Sequence, residues 1–482
     1  MPRYELSEGT SNKFWEINLA ANSFTTKFGK IGANGQTTIK EFGSDAEART
    51  AYDKIVAEKV KKGYKLVGGK AVTAPKVAKA KKAEAPSAST TSGGKLDARN
   101  PTLEAAIVAN PNDRDAFAVF GDWLQEQGDP RGELISLQLA YKDKTAKQLI
   151  DKHADYFLGP LAAHQTVYDE GYNNSTSHLR TSAQEKEWQK THKQAFLWRN
   201  GYIHRVRLSY DSYSGKLEGI KLVDVLELVL DHPSARYAVE FAFMSNGDPN
   251  EGNLQNLIDM LGKKAPPTTR KITIGDNVDQ ISWHHTGSLA KLWKGVPNLK
   301  TLEMETGEFD VGKMVAPALE RAIFITGGMD KACAKNIATA TMPKIKHLEI
   351  YYGDDQYGGN CSVKEVKPLL DRTDLKHLEY LGLKNAMFSD DIARALAGAK
   401  VLKTVKTLDL SLGTMTDEGA KALVAAKASL AHLDVLDLTR NFLSKEGVKL
   451  VKSLAKKVIT DKQEEADDWG EGELHYFVSI SE

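Results

Sequence analysis

The amino-acid sequence predicts a multidomain α/β chain: a small β-rich module with a closing helix, a helical segment, and a long α/β repeat array. Three observations predict this class. Short β-branched and aromatic runs broken by Gly, Asn and Ser fill residues 1–67. Helical periodicity begins near Ala98. Strand-like LxL runs, each followed by a helical pattern, then recur about every 27–28 residues toward the C-terminus. At 482 residues the chain is also too long for one core.

In the N-terminal module, YELSEG, KFWEINLA, SFTTKFGKIG and QTTIKEFG read as strands. A helix follows, capped by Ser44 or Asp45, with an inner stripe through Ala48, Tyr52, Ile55, Val56 and Lys59 and an end at Gly63. Residues 68–98 are Ala, Lys, Pro, Ser and Gly with no bulky aromatic side chain, the composition of a flexible basic linker. It is either a plain tether or a tail that adds phosphate contacts.

The helical segment spans 99–202. A first amphipathic run ends at Asn110-Pro111-Asn112-Asp113, a second at Gly128, and Asp129-Pro130 suits the cap and first position of a third. The stretch from Asn110 to Gln138 resembles the short bacterial domain that accompanies repeat arrays, the repeat-companion domain, which implies an architectural cap with no catalysis.

The array is assigned to 203–459. Its clearest units place Leu381, Leu408 and Leu436 in equivalent strand positions, and weaker strand signals at Val206, Val239, Lys271, Leu299, Phe324 and Ile345 extend it backward. A lone strand and helix cannot bury their apolar faces, so such units must stack. The units resemble leucine-rich repeats of the ribonuclease-inhibitor type, in which strand and helix alternate around a horseshoe. The asparagine expected three residues after the second strand leucine stands only at Asn441, with Gly413 and Ala386 in the equivalent places, which predicts a less regular array. Residues 460–482 form an acidic tail in which ELHYFVSI alternates like an edge strand. That tail would cap the last repeat or compete with nucleic acid for the basic linker.

Composition narrows the function classes. The net charge of +1 hides a lysine-rich segment from Glu58 to Lys82 and an acidic tail. Two cysteines, Cys333 and Cys361, carry no CxxC spacing, so neither a disulfide framework nor a zinc site is implied and a reducing cytoplasm is expected. No apolar run is long enough for a membrane span, and MPRYELSEG lacks a signal-peptide core. Adjacent His284-His285 lack the spacing of a metal site, and Asp354-Asp355 lack a calcium-loop pattern. No cofactor, metal or catalytic residue is therefore assigned.

The most informative stretch is KFGKIGANGQ, Lys27 to Gln36. It lacks the GxxxxGK[ST] of a phosphate cradle. A hairpin turn and a nucleic-acid contact both remain open. Residues 1–67 resemble the WGR domain, whose naming pattern WGRIGxxGQ is met here by Phe28-Gly29-Lys30. In the WGR modules of poly(ADP-ribose) polymerases the family tryptophan packs on a DNA sugar near a strand break, with basic residues around it. The resemblance implies Phe28 as the stacking residue, Lys30 as the basic one, Gly29 as a point of close backbone approach, and Lys13 and Lys27 as phosphate neighbours. Phenylalanine keeps an apolar ring but loses the indole N–H, and lysine loses the fork of arginine. Nothing resembles the catalytic domain of those polymerases. The expectation is a nonenzymatic bacterial adaptor: the module touches DNA, and the array holds an unidentified protein partner. The alternative is a scaffold or regulator that binds only proteins.

Overall fold

The computed structural model describes residues 2–8, 11–20, 23–33, 35–42, 45–68, 97–166, 186, 190–191, 193–209, 221–244, 254–275, 281–468, 470 and 474–481. Asn34 and almost all of the expected linker lie outside them. The chain forms two compact units: the N-terminal module and the helices after it belong to the first, and a large sheet belongs to the second.

The module is a five-stranded sheet: β1 (Arg3–Glu8), β2 (Ser11–Ala20), β3 (Ser23–Lys30), β4 (Gln36–Glu41) and β5 (Lys65–Gly68), in the order β4-β3-β2-β1-β5. Helix α1 (Asp45–Lys61) covers one face. Strand parity decides which side chains it meets, because alternate residues point to opposite faces. Tyr4, Trp15, Ile17 and Phe24 form the core with Tyr52 of α1, each contributing ~2 kcal/mol on burial. The helix does not end the module as expected. Lys65–Gly68 returns as β5 beside β1, and its lysine-rich surroundings hide the short Leu66-Val67 run.

Four capped or charge-biased helices follow: α2 (Pro101–Ala109), α3 (Arg114–Glu126), α4 (Pro130–Leu139) and α5 (Asp143–Lys152). Asp113 accepts from the Asp115 and Ala116 amides, and Asp129 from the Arg131 amide at 2.8 Å, satisfying donors that a helix start leaves free. Arg131 is 1% exposed. Its guanidinium lies about 5 Å from the rings of Tyr156 and Phe157 and donates to the Gly201 carbonyl at 2.8 Å. Tyr156 donates to Asp129. The DPRG motif is thus a packing node. The helical segment stops short of 202, because Phe196–Arg199 is a strand.

In the second unit the large sheet has eleven strands. They are β6 (Phe196–Arg199), β7 (Tyr202–Ser209), β8 (Glu240–Met244), β9 (Lys271–Ile274), β11 (Thr301–Glu305), β13 (Arg321–Ile325), β14 (His347–Gly353), β15 (Tyr380–Ala386), β16 (Thr407–Asp409), β17 (Val435–Asp437) and β18 (Lys457–Ile459), in that order. Two further strands, β10 (His285–Ser288) and β12 (Glu308–Asp310), make a separate parallel pair that the repeat pattern did not announce. From β7 to β18 all pairings are parallel. One rung runs in register through Val206, Phe241, Ile272, Leu302, Ala322, Leu348, Leu381, Leu408 and Leu436, each at most 1% exposed. Helices between the strands bury their own apolar stripes, such as Val366, Leu369 and Leu370 on Val363–Leu370. Just before the strands, Lys300, Glu320 and Lys346 alternate in sign and pair across repeats, as do Glu379 with Lys406 and Asp434 with Lys456.

The single turn asparagine does the work expected of it. Asn441 is fully buried, donates to the Leu410 and Leu438 carbonyls, and accepts from the Met415 amide at 3.0 Å. One repeat earlier, hydroxyls take over: Ser389 donates to the Ala386 carbonyl and accepts from the Thr414 amide, and Thr414 donates to the Met387 carbonyl. A Cβ on Gly413 would lie 2.2 Å from the Ser389 hydroxyl, so glycine there makes room for the substitute. The acidic tail does not add an edge strand to the large sheet. Only Leu474–His475 of ELHYFVSI is strand, paired with Asp467–Asp468.

Replacing Asn441 with alanine strands three buried backbone groups, so the unfolding free energy of the array is expected to fall by roughly 2–4 kcal/mol. Urea unfolding of the full chain measures it, and a loss under ~1 kcal/mol would contradict the assignment.

Candidate nucleic-acid interface

Parity also sorts the candidate site residues. On β2 and β3, Lys13 stands opposite Lys30, Trp15 opposite Phe28 and Ile17 opposite Thr26, so Lys13, Phe28 and Lys30 share the face that carries the core. Helix α1 covers the Trp15 and Ile17 end. Phe28, at the margin, keeps 39% of its surface exposed, and Lys13 and Lys30 are exposed beside it.

Lys27 is not part of this group. It stands opposite Glu16 on the other face, with Arg3, Glu5 and Phe14. Arg3 donates to Glu5 and Glu16, both at 2.8 Å, and lies 4.3 Å from the Phe14 ring centre. Gly29 answers to Phe14 as well. A Cβ on Gly29 would come within 2.9 Å of the Gly35 Cα and 3.2 Å of the Phe14 ring, and one on Gly35 within 2.6 Å of that ring at φ 70°. Both glycines make room for a ring of the module itself.

The structure adds two lysines that the strand pattern could not supply. Lys59 of α1 lies over the rings of Trp15 at 5.3 Å and Tyr64 at 5.0 Å. Burial, then Lys62 and Lys13, hold its ammonium below the ordinary lysine value, which places these three cations close together. The helical stripe through Tyr52 and Ile55 did put Lys59 inward; its charge was the overlooked signal. Among the described residues, the module's ion pairs belong to Arg3 and Arg49, and Lys13, Lys30, Lys59 and Lys62 stand outside them. An exposed ring on a face that also carries lysines outside the ion pairs offers apolar contact to a sugar or base and charge to phosphate.

The array presents a second chemical surface on the strand side chains opposite the leucine rung. Glu303 accepts from Lys271 and Arg321 at 2.6 and 3.2 Å. Glu349 meets His347 at 2.5 Å and Lys384 at 3.5 Å, and Lys384 reaches Asp409 at 2.9 Å. Tyr380 donates to Asp409 and stacks on His347 with ring centres 4.0 Å apart. Burial alone would raise the Glu349 carboxyl, but the His347 hydrogen bond and Lys384, with Arg321, hold it at about 2. Burial opposes the Lys384 charge, while Asp409, Tyr351 and Glu349 keep it above its ordinary value.

The remaining candidates are local structure. His284 is buried, and burial followed by His285 lowers its imidazole to about 4. His285 lies 3.1 Å from Glu308. Asp354 accepts from the Gln356 amide and caps a short turn. Among the described residues no group of three or more His, Cys, Asp or Glu side chains is placed to hold a metal ion, and no helix is long and apolar enough to cross a membrane.

Fold and surface together define a repeat protein of mixed α/β type with a separate N-terminal sheet module. Comparison with known families makes this specific. Residues 3–70 match the WGR domain and residues 401–424 the Leucine Rich repeat, so the chain carries a WGR domain at its N-terminus and leucine-rich repeat sequence in its C-terminal half. It is 36% identical over 62 residues to the uncharacterized protein YfeS of Escherichia coli (strain K12), covering 13% of this chain and 25% of YfeS. It is 39% identical over 64 residues to protein YehF of the same organism, covering 13% and 23%. The chain thus spans about a quarter of the length of the curated relatives it matches. Among solved structures, a protein from Bacteroides fragilis aligns over 96% of this chain and 97% of its own at 19% identity and a TM-score of 0.47. An internalin from Listeria monocytogenes aligns over 51% and 71% at 12% identity and a TM-score of 0.25.

The Glu349 cluster makes array stability depend on acid. A carboxyl held at about 2 when folded, against an ordinary 4.5, stabilises the fold above pH ~4.5 and loses that contribution as pH falls toward 2. Glu349→Gln is expected to cost roughly 2–4 kcal/mol at pH 7, with the gap to wild type narrowing to less than half by pH ~3. Urea titrations at pH 7, 4 and 3 check this; a gap independent of pH would refute it.

Proposed function

We propose that the chain is a nonenzymatic adaptor whose WGR module binds DNA near an end or nick and whose leucine-rich-repeat array holds a protein partner. The observation that carries the first half is Phe28: an aromatic ring 39% exposed, on the same face as Lys13 and Lys30, with Lys59 and Lys62 acting electrostatically alongside Lys13. A globular module gains nothing for its own core by leaving this ring out among cations. Nucleic acid supplies what both lack, an apolar sugar or base face for the ring and phosphates for the lysines. Lys27 and Gly29 are assigned no contact in this reading, since the first faces away and the second serves Phe14.

For the array, the strand side opposite the leucine rung supports recognition of a protein: Lys271 and Arg321 keep 36% and 32% of their side chains exposed there, above an ion-pair network held from within by the buried Glu349 and Asp409. The two curated relatives are bacterial, and both cysteines are free, which supports a bacterial cytoplasm as the setting.

Fluorescence anisotropy of the full chain with nicked, blunt-ended and closed circular duplex tests the DNA half. Affinity is expected to favour ends and nicks, to fall roughly 5- to 20-fold in Phe28→Ala, as loss of one stacking contact does, and to rise in Phe28→Trp with Lys30→Arg. Lys27→Ala should leave it unchanged. If neither wild type nor the doubly restored variant binds DNA at low salt, the DNA half is wrong and the protein-only scaffold takes its place.

A further inference from the structure

After Leu474–His475, the chain runs back across the C-terminal ends of the array strands and the loops that follow them. The Tyr476 ring meets Phe442 edge-on at 5.1 Å. Val478 is buried, and the Ser479 amide donates to the Leu412 carbonyl at 3.0 Å. Asn385 then reads the backbone of Ile480 from both sides: its Nδ2 donates to the Ile480 carbonyl at 2.5 Å, and its Oδ1 accepts from the Ile480 amide at 2.9 Å. The segment passes Gly327 so closely that a Cβ there would lie 2.1 Å from the Ser481 carbonyl oxygen. It therefore crosses the loops after β17 and β16, the C-terminal end of β15 and the loop after β13.

We propose that these loops form a groove for an extended peptide, occupied in this chain by its own residues 474–481. Two features make it a groove with its own recognition chemistry. Asn385, Leu412 and Arg440 occupy the same position in successive repeats, and all three adopt left-handed φ of 53°, 69° and 53°. This costs an L-residue roughly 1–2 kcal/mol, and at two of these positions the Asn385 side-chain amide and the Leu412 carbonyl hydrogen-bond to the backbone of the passing segment. The contacts are also of the sequence-tolerant kind: they take backbone groups at 479 and 480, and ask for an aromatic residue at 476 and a small apolar one at 478. Phe477 and Leu474 stay exposed. The partner this fits is an extended peptide with apolar residues at alternate positions, held by hydrogen bonds to its main chain for affinity and by alternate side chains for specificity. The inference rests on the reading of the array as a protein-binding module and names the form of the ligand.

A tethered segment competes at an effective concentration of the order of millimolar, so a peptide added from outside sees the groove only when the strap is dislodged. The probe is a fluorescein-labelled synthetic peptide of residues 474–481, titrated by anisotropy against the full chain. Wild type is expected to bind it at least 10-fold more weakly than Val478→Asp or Tyr476→Ala, either of which alters the strap and leaves every array residue in place. Adding Asn385→Ala to the dislodged chain should again weaken binding at least 10-fold, while circular dichroism confirms that the array stays folded. The proposal is overturned if the dislodged chains bind no better than wild type, or if Asn385→Ala makes no difference to them. Capture of a partner by the array that persists while the peptide fails to bind would overturn this inference and leave the protein-binding reading standing.

Discussion

The array depends on one constraint: each strand–helix unit has an apolar face that only its neighbours can cover. The rung from Val206 to Leu436 is that constraint made visible, nine side chains in register and almost none of their surface left to water. Every strand commits one side to the rung, and the other side carries charged residues among further buried ones such as Ile323, Ile325 and Tyr351. Charge can gather there, and it does, in a chain of contacts from Lys271 through Glu303, Arg321, Glu349 and Lys384 to Asp409. Parallel pairing also sends every strand into its loop at the same end. A single extended segment can therefore cross several loops in succession, as residues 476–481 do.

The module obeys the same two-sided logic on a smaller scale. One face of its sheet is filled by α1 against Trp15 and Ile17, while the other holds Phe14 under Arg3 and over Gly29 and Gly35. Two large rings on adjacent residues, Phe14 and Trp15, are thus buried on opposite sides. What remains outside both cores is the margin with Phe28, Lys13 and Lys30. The glycines of KFGKIGANGQ, which suggest an approach for a ligand, serve the fold, and the ring and the lysines beside them are what face outward.

Much of the architecture was legible in the sequence wherever the signal was local. Leu381, Leu408 and Leu436 announce their strands because leucine alternates there with little else apolar. Ala322 fills the same rung with a methyl group, too small to stand out, and Phe241 and Val206 sit in spacings of 30 residues or more that blur the period. β5 was hidden by the lysines around it. Of the expected site residues, Lys13, Phe28 and Lys30 share one face of the sheet, whereas strand parity sends Lys27 to the opposite face. Lys59 and Lys62 could join only once α1 was set against the sheet. The Glu349 network, built from residues tens of positions apart, exists only in the register between strands.

The proposed DNA contact falls on the module's outward margin. Amide hydrogen exchange of the full chain, with and without a nicked duplex, tests this most directly. The account predicts slowed exchange around Lys13, at Phe28 to Ala33 and at Lys59 to Tyr64, with the strands of the array unchanged. Protection confined to the array, or to the Arg3–Glu16 face of the module, would contradict it.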